Sequence, residues 1–431
     1  MNEYWDRELE TITPGGLERL QLERFNETIQ RARRSKFYKK RLPDRLKSLE
    51  HVKDIPLTTK QDLRTGFPDG FLTVGLEDVI RLHSSSGTTG RATVIYHTRR
   101  DIDNWTELVA RSMYMTGVRR GDVFQNMMGY GLFTGGLGLH YGSERLGALT
   151  IPASSGNSKR QIRLMRDFGT TVIHITPSYA LHLYSIFEEE GLNPRQDLNL
   201  RIAFLGAEPY SNEIRKKIEE LYGLDAFNSY GLSEMNGPGV AFECTEKDGM
   251  HLWEDSYFLE VIDPETGECL EDGHEGEMVL TTLMREGMPI IRYRTGDIAS
   301  VYTETCACGR THRRISRIKG RSDDMLIIKG VNIYPMQIEK VLMDMPEVGH
   351  NYLIELERVD YLDTIKVKVE VRQEIFHGKA TELEGLKREV AENLKNEILI
   401  TPRVVLVEPN SLPKSEGKAI RVVDKRTTGA D

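Results

Sequence analysis

Seven consecutive residues, Ser84-Ser85-Ser86-Gly87-Thr88-Thr89-Gly90, place hydroxyl side chains around two glycines. Glycine tolerates left-handed backbone and lets the chain come close to a ligand. Backbone N–H groups and hydroxyls together can then donate to phosphate oxygens. The alternating piece Val79-Ile80-Arg81-Leu82 precedes them, so the stretch reads as a loop after a strand. It is not the lysine-bearing phosphate loop of kinases and GTPases, because Arg91 follows Gly90. Ser85, Ser86, Gly87, Thr88, Thr89 and Gly90 are the phosphate-binding candidates. Taken alone, the same composition also fits a flexible linker.

Further motifs follow in order: Gly206-Ala207-Glu208-Pro209, Asn228-Ser229-Tyr230-Gly231-Leu232-Ser233-Glu234, and Tyr293-Arg294-Thr295-Gly296-Asp297. After them come Gly320-Arg321-Ser322-Asp323-Asp324, Lys329-Gly330, and Leu412-Pro413-Lys414-Ser415-Glu416-Gly417-Lys418. Each has an ordinary structural reading: Tyr-Gly as a turn, Thr-Gly-Asp as a hairpin tip, Gly-Arg-x-Asp as a salt-bridged loop. As an ordered set spanning residues 84 to 418 they resemble the acyl-adenylate-forming superfamily of acyl-CoA synthetases, luciferases and adenylation domains. The short chain and the piece Gly129-Tyr130-Gly131-Leu132-Phe133-Thr134-Gly135-Gly136 are most similar to the phenylacetate–CoA ligase branch.

That resemblance implies ATP-dependent ligation of an aryl acid to coenzyme A through an acyl-adenylate. Such a reaction needs a held polyphosphate, neutralised charge and two aligned anions. The resemblance gives Thr88 and Thr89 to the β- and γ-phosphates and Glu234 to Mg²⁺, a hard cation that prefers oxygen. It lays Tyr230, with Gly231 and the segment Gly206, Ala207, Glu208 and Pro209, around the adenine. Asp297 has two acceptor oxygens for the ribose hydroxyls, and Arg321 is a second ribose contact. Lys418 becomes the catalytic lysine that offsets repulsion between carboxylate and α-phosphate. Asp323 falls at the hinge of a mobile small domain, and Gly330 in the coenzyme A tunnel. One departure stands out: Arg91-Ala92-Thr93 replaces the superfamily's x-Pro-Lys, which bears on how the γ-phosphate is held. A homodimer is also what the resemblance implies.

Tyr130, Phe133, Gly135 and Gly136 are the acyl-pocket candidates, with glycines leaving room for a flat ring; a tightly packed strand–helix junction is the alternative. Cys244, His251, Cys306 and Cys308 offer thiolate and imidazole ligands on two loops, and relatives of this branch carry similar cysteines. Four protein ligands fit a closed, structural zinc site. Reduced buried cysteines with a surface histidine are the plainer reading, and Cys269 stands apart.

The remaining alternatives are an adenylating enzyme for another acid or acceptor, such as a carrier-protein thiol or a deazaflavin cofactor, and a non-catalytic nucleotide-binding module.

Composition bounds these readings. The 431 residues allow more than one domain, and 39% hydrophobic with 29% charged residues is globular composition. A net charge of −8 gives no cause to expect nucleic-acid binding. No apolar run approaches the ~20 residues of a membrane helix, and the N-terminus lacks the pattern of a signal peptide. A cytoplasmic protein is expected.

The elements that must position the motifs follow from periodicity. Residues 1–60 read as mostly helical, with a basic run from Arg31 to Lys40. From 79 to 232, apolar runs such as Thr171–Ile175 and Arg201–Leu205 alternate with helical stretches, which predicts a parallel sheet with flanking helices. Ligands then bind beyond the carboxyl ends of the strands. Residues 245–320 read as a β-rich module. The expectation is an α/β large domain over 1–322, with mixed or parallel sheets, and a small mobile α+β domain over 323–431.

Overall fold

The computed structural model describes residues 3–84, 93–132, 134–208, 210–322, 326–328, 331–359, 362–376, 380–413 and 421–426. Packing divides the chain into two compact units: residues 1–175, 198–207 and 225–318 in one, and 176–197, 208–224 and 319–431 in the other.

The first unit is built on β1 (Val79–Ser84), β2 (Val94–Thr98), β3 (Val123–Asn126), β4 (Leu149–Ile151), β5 (Val172–Ile175), β6 (Ile202–Leu205) and β7 (Asp225–Leu232). It continues with β8 (Gly237–Glu243), β9 (Met250–Leu252), β10 (Tyr257–Ile262), β11 (Glu275–Thr282), β12 (Tyr293–Tyr302) and β13 (Arg314–Ile315). Strands β4, β3, β5, β6 and β7 pair in parallel in that order. β5 and β6 are buried along their whole length, which explains their unbroken apolar sequence. The sequence separates a β-rich module from this sheet, whereas the structure joins them. β7 pairs antiparallel with β8, and the sheet runs on through β9, β13, β12, β11 and β10. β1 and β2 form their own antiparallel hairpin; residues 85–92 between them lie outside the described residues.

Local chemistry starts and stops the helices. Helix Arg99–Met115 begins at a reciprocal cap in which Thr98 accepts from the Asp101 N–H and Asp101 from the Thr98 N–H. Its inner face buries Ile102, Trp105, Leu108 and Val109. Helix Gly135–Leu146 packs beside it so tightly that a Cβ on Gly138 would meet the Trp105 ring at 2.5 Å.

In the second unit, Val348–Val359 and Leu362–Val371 form an antiparallel pair, with Arg403–Val407 and Val422–Asp424 added in parallel on either side. Strict alternation puts Ile365, Val367, Val369 and Val371 in its core. They meet Val390 and Leu394 of helix Ala380–Ile398 and Ile338 and Leu342 of helix Pro335–Met343. Helices Pro177–Glu189 and Asn212–Tyr222 belong to this unit, joined by the Tyr222 hydroxyl donating to the Ala180 carbonyl at 2.7 Å.

Candidate active site

The carboxyl ends of β3, β5, β6 and β7 bring polar side chains together in the first unit. Gly206 follows β6 where Ser229 of β7 leaves no space: a Cβ there would lie 2.7 Å from the Ser229 hydroxyl and 3.1 Å from its carbonyl. Ala207 then takes φ of +68°, a left-handed conformation that costs a non-glycine residue about 1 kcal/mol or more. Gly231 is equally confined, with the Gly237 carbonyl 2.0 Å from where a Cβ would stand.

Tyr230 on β7 donates its hydroxyl to Asp297 Oδ2 on β12 at 2.6 Å, and both residues are buried. Asp297 reaches this position through a bulge. Glu277 pairs with Ile298 and Val279 with Arg294, so Thr295-Gly296-Asp297 is looped out of the strand. Gly296 has φ of +78°, the Thr295 hydroxyl donates to the Met278 carbonyl, and the Asp297 N–H donates to Thr295 Oγ1. A bulge re-aims a side chain that regular pairing would place elsewhere. The hairpin-tip reading of Thr-Gly-Asp is therefore wrong; the motif sits inside the longest strand of this sheet path.

Glu234 lies in a short 3₁₀ turn, Ser233–Met235, directly after β7. Its carboxylate accepts from the Thr93 hydroxyl at 3.4 Å. The Ser233 hydroxyl meets Thr134 Oγ1 at 3.3 Å, and the Met235 carbonyl accepts from the Tyr257 hydroxyl at 2.9 Å.

Tyr130 belongs to a second network. Asn126, the last residue of β3, donates its amide to the Tyr130 hydroxyl at 3.0 Å and to the Gly136 carbonyl at 2.6 Å. Its amide oxygen faces His174 Nδ1 at 3.1 Å. His140 Nδ1 lies 3.2 Å from the Tyr130 oxygen on the other side. Burial pushes the Tyr130 phenol up to about 12 and pulls His174 down to about 3, so both are neutral near pH 7. A neutral His174 must donate from Nδ1 to the Asn126 oxygen, which orients the amide nitrogen toward Tyr130. Gly136 sits against the Gly129 carbonyl, 2.6 Å from where its Cβ would be, so the close approach here is of chain to chain.

The cysteines converge in the antiparallel part of the sheet. One ligand atom from each of Cys244, His251, Cys306 and Cys308 lies within 4.8 Å of the others. Cys244 Sγ is 3.7 Å from Cys306 Sγ, and Cys308 Sγ is 3.3 Å from His251 Nε2. His251 Nδ1 faces the His312 carbonyl at 3.3 Å, which fixes the proton on Nδ1 and turns the Nε2 lone pair into the cluster. The hydrogen bond from the Cys244 thiol holds Cys308 down to about 2, and the same hydrogen bond pushes Cys244 up. Cys269 is exposed and separate.

The sequence profile of the AMP-binding enzymes matches residues 31–283, and that of the AMP-binding enzyme C-terminal domain matches residues 330–426. The chain belongs to the AMP-binding enzyme family. Among relatives, the phenylacetate-coenzyme A ligase of Pseudomonas putida is 44% identical, aligning 99% of each chain. That of Escherichia coli K12 is 41% identical over 97% of each. A crystal structure of 2-hydroxyisobutyryl-CoA ligase in the postadenylation state with 2-HIB-AMP superposes with a TM-score of 0.94 at 30% identity, covering 99% of this chain and 93% of that one.

Of the residues that the family motifs single out, the structure brings Tyr230 to Asp297, and it puts Glu234 beside Thr93. Glu208 lies in the second unit, where its carboxylate accepts from the Ser178 N–H at 2.6 Å. Arg321 is half-buried on the strand Gly320–Arg321, also in the second unit. Ser85, Ser86, Gly87, Thr88, Thr89, Gly90, Phe133, Pro209, Asp323, Gly330 and Lys418 lie outside the described residues. Sequence reading missed Asn126, His174 and His140 as supports of Tyr130, and Thr134, Tyr257 and Thr93 as supports of the Glu234 turn. Nothing in local spacing marks them, since each acts on a residue on another element.

Proposed function

We propose that this protein ligates an aryl acid, phenylacetate foremost, to coenzyme A in two steps. The acid's oxygen attacks the α-phosphorus of ATP and pyrophosphate leaves. The coenzyme A thiol then attacks the acyl carbon and AMP leaves. The observation that carries this reading is end-to-end identity of 44% with a phenylacetate-coenzyme A ligase.

The site residues take these roles. Asp297 accepts from the ribose hydroxyls, with Arg321 as the further ribose contact. Tyr230, Gly231 and the 206–209 segment bound the adenine. The hydroxyls and N–H groups of 85–90 hold the polyphosphate, and Lys418 stabilises the charge that builds up between carboxylate and phosphate. Tyr130, Phe133, Gly135 and Gly136 bound the aryl group. Asp323 is the hinge between a large domain over 1–322 and a small one, and Gly330 lines the path of the thiol. Glu234 and Thr93 present a carboxylate and a hydroxyl oxygen, the hard donors Mg²⁺ takes, and the cation would neutralise polyphosphate charge. Cys244, His251, Cys306 and Cys308 fit a closed structural Zn²⁺ site, because the four donor atoms converge and His251 is in the ligating tautomer. The enzyme acts in the cytoplasm as a homodimer.

An acid panel tests the reading. Pyrophosphate exchange into ATP should be fastest with phenylacetate, and added coenzyme A should yield the thioester. Higher kcat/KM for hexanoate or 2-hydroxyisobutyrate would move the enzyme to the aliphatic ligases. Exchange without thioester would point to another acceptor, and no exchange with any acid to a binding module.

A further inference from the structure

Arg285 is among the most deeply buried side chains of the first unit, and among the described residues no carboxylate lies within ion-pair distance of it. A guanidinium buried without a partner costs several kcal/mol. Burial lowers its pKa, with Asp101, Tyr257 and Glu234 acting in the opposite direction. Its guanidinium donates from Nη1 to the backbone carbonyl of Glu234 at 2.6 Å. Among the described residues, Nε and Nη2 have no hydrogen-bond partner. Arg285 also lines a cavity of about 10 Å³, enough for one water-sized molecule, with Asp101, Asn236, Ser256 and Thr282. The Asn236 side-chain oxygen is unpartnered there too.

The turn that carries Glu234 is thus held at every residue: Ser233 by Thr134, Met235 by Tyr257, and Glu234 by Thr93 at its carboxylate and Arg285 at its carbonyl. Asn236 closes the turn with φ of +78°. The Tyr257 hydroxyl holds a neighbouring carbonyl without any charge, so a charged group is not needed merely to satisfy a backbone acceptor.

We propose that Arg285 is a positioning residue for Glu234, gripping the turn from inside the core so that the carboxylate is fixed where a divalent cation must be met. This rests on the reading of Glu234 as the Mg²⁺ ligand. Groups behind a metal ligand commonly change metal affinity 10- to 100-fold.

Arg285→Lys keeps the charge but loses the reach and the fork. The Mg²⁺ concentration for half-maximal adenylation should rise about tenfold, with the KM for the acid changed less than about twofold. Hydrogen exchange of the 233–236 amides, measured without metal or nucleotide, should accelerate by a similar factor. In Arg285→Ala, which leaves a hole of the right shape, guanidinium ion at tens of millimolar should slow that exchange and restore part of the rate. Unchanged Mg²⁺ dependence and unchanged exchange in Arg285→Lys would overturn the proposal, as would an Arg285→Ala variant indifferent to guanidinium. Glu234→Gln separates the two readings. If it leaves the Mg²⁺ requirement unaltered, the metal assignment falls, while exchange in the Arg285 variants still decides whether Arg285 holds the turn. If Glu234→Gln raises the requirement and Arg285→Lys does not, Arg285 has no positioning role.

Discussion

Tyr230 and Glu234 stand at the end of β7, and Cys244 follows β8, the next strand in the same sheet. Both neighbourhoods bury polar side chains, and they satisfy them differently. At the strand ends the candidate ligand groups are held pairwise by side chains from other elements: Asp297 by Tyr230, Glu234 by Thr93 and Arg285, Tyr130 by Asn126 and His140. In the cysteine cluster the four donors face one another, and the second-sphere hydrogen bond of His251 points them inward. No position is left over. Four inward-facing donors are the set that a closed structural metal site uses, whereas the strand ends join their polar groups in pairs.

Four changes probe that contrast. The largest effect should come from Lys418→Ala, which removes charge stabilisation needed only while the two anions meet. Acid-dependent pyrophosphate release should fall by about 10²- to 10³-fold or more, while conversion of pre-formed acyl-adenylate with coenzyme A stays near wild type. Equal loss of both half-reactions would place the lysine elsewhere.

Next, Cys306→Ser with Cys308→Ser should strip near one equivalent of zinc per chain, seen by metal analysis. Thermal unfolding should drop by about 5–10 °C, corresponding to roughly 2–3 kcal/mol in a domain of this size, with the rate at 25 °C within about twofold. A collapse of kcat with Tm unchanged would erase the contrast between the two regions.

A smaller effect is expected of Tyr230→Phe, which leaves the ring but releases Asp297. A hydrogen bond to a carboxylate contributes about 1.5–3 kcal/mol, so KM for ATP should rise tenfold or more with KM for the acid unmoved. An equal rise in both would mean a general loosening of the site.

The change with no effect at neutral pH concerns His174. Its folded-state pKa is held down to about 3 by burial, against about 6.5 when unfolded. Above pH 6.5 neither state binds the proton, so His174 has no influence. Between 6.5 and 3 the unfolded chain binds it and the folded chain does not, so stability falls as pH drops, by about 1.4 kcal/mol per unit. Denaturant unfolding of His174→Gln should show a correspondingly shallower loss over that range; identical slopes would remove His174 from the acid sensitivity of the fold.

Elements with strong local signals, and the ordered motifs that name a family, are legible in the amino-acid order alone. Helix Asn212–Tyr222 is bounded by local events, capping by Ser211 at its start and a left-handed Gly223 at its end. The alternation of Ile365 to Val371 needs only one buried face to be visible. The converging cysteines were legible for a different reason: thiols and imidazoles are rare enough that their clustering in one segment is informative. Which side chain holds which follows from the folded packing. Tyr230 meets Asp297 because a bulge in β12 turns the carboxylate toward β7, and bulges depend on the pairing of strands distant in sequence. The continuity of the parallel strands with the β-rich region is likewise a matter of β7 accepting β8 as an antiparallel neighbour. Arg285 and His174 carry no sequence signal at all. Each is an ordinary residue type whose role follows from burial, and burial is set by the whole fold.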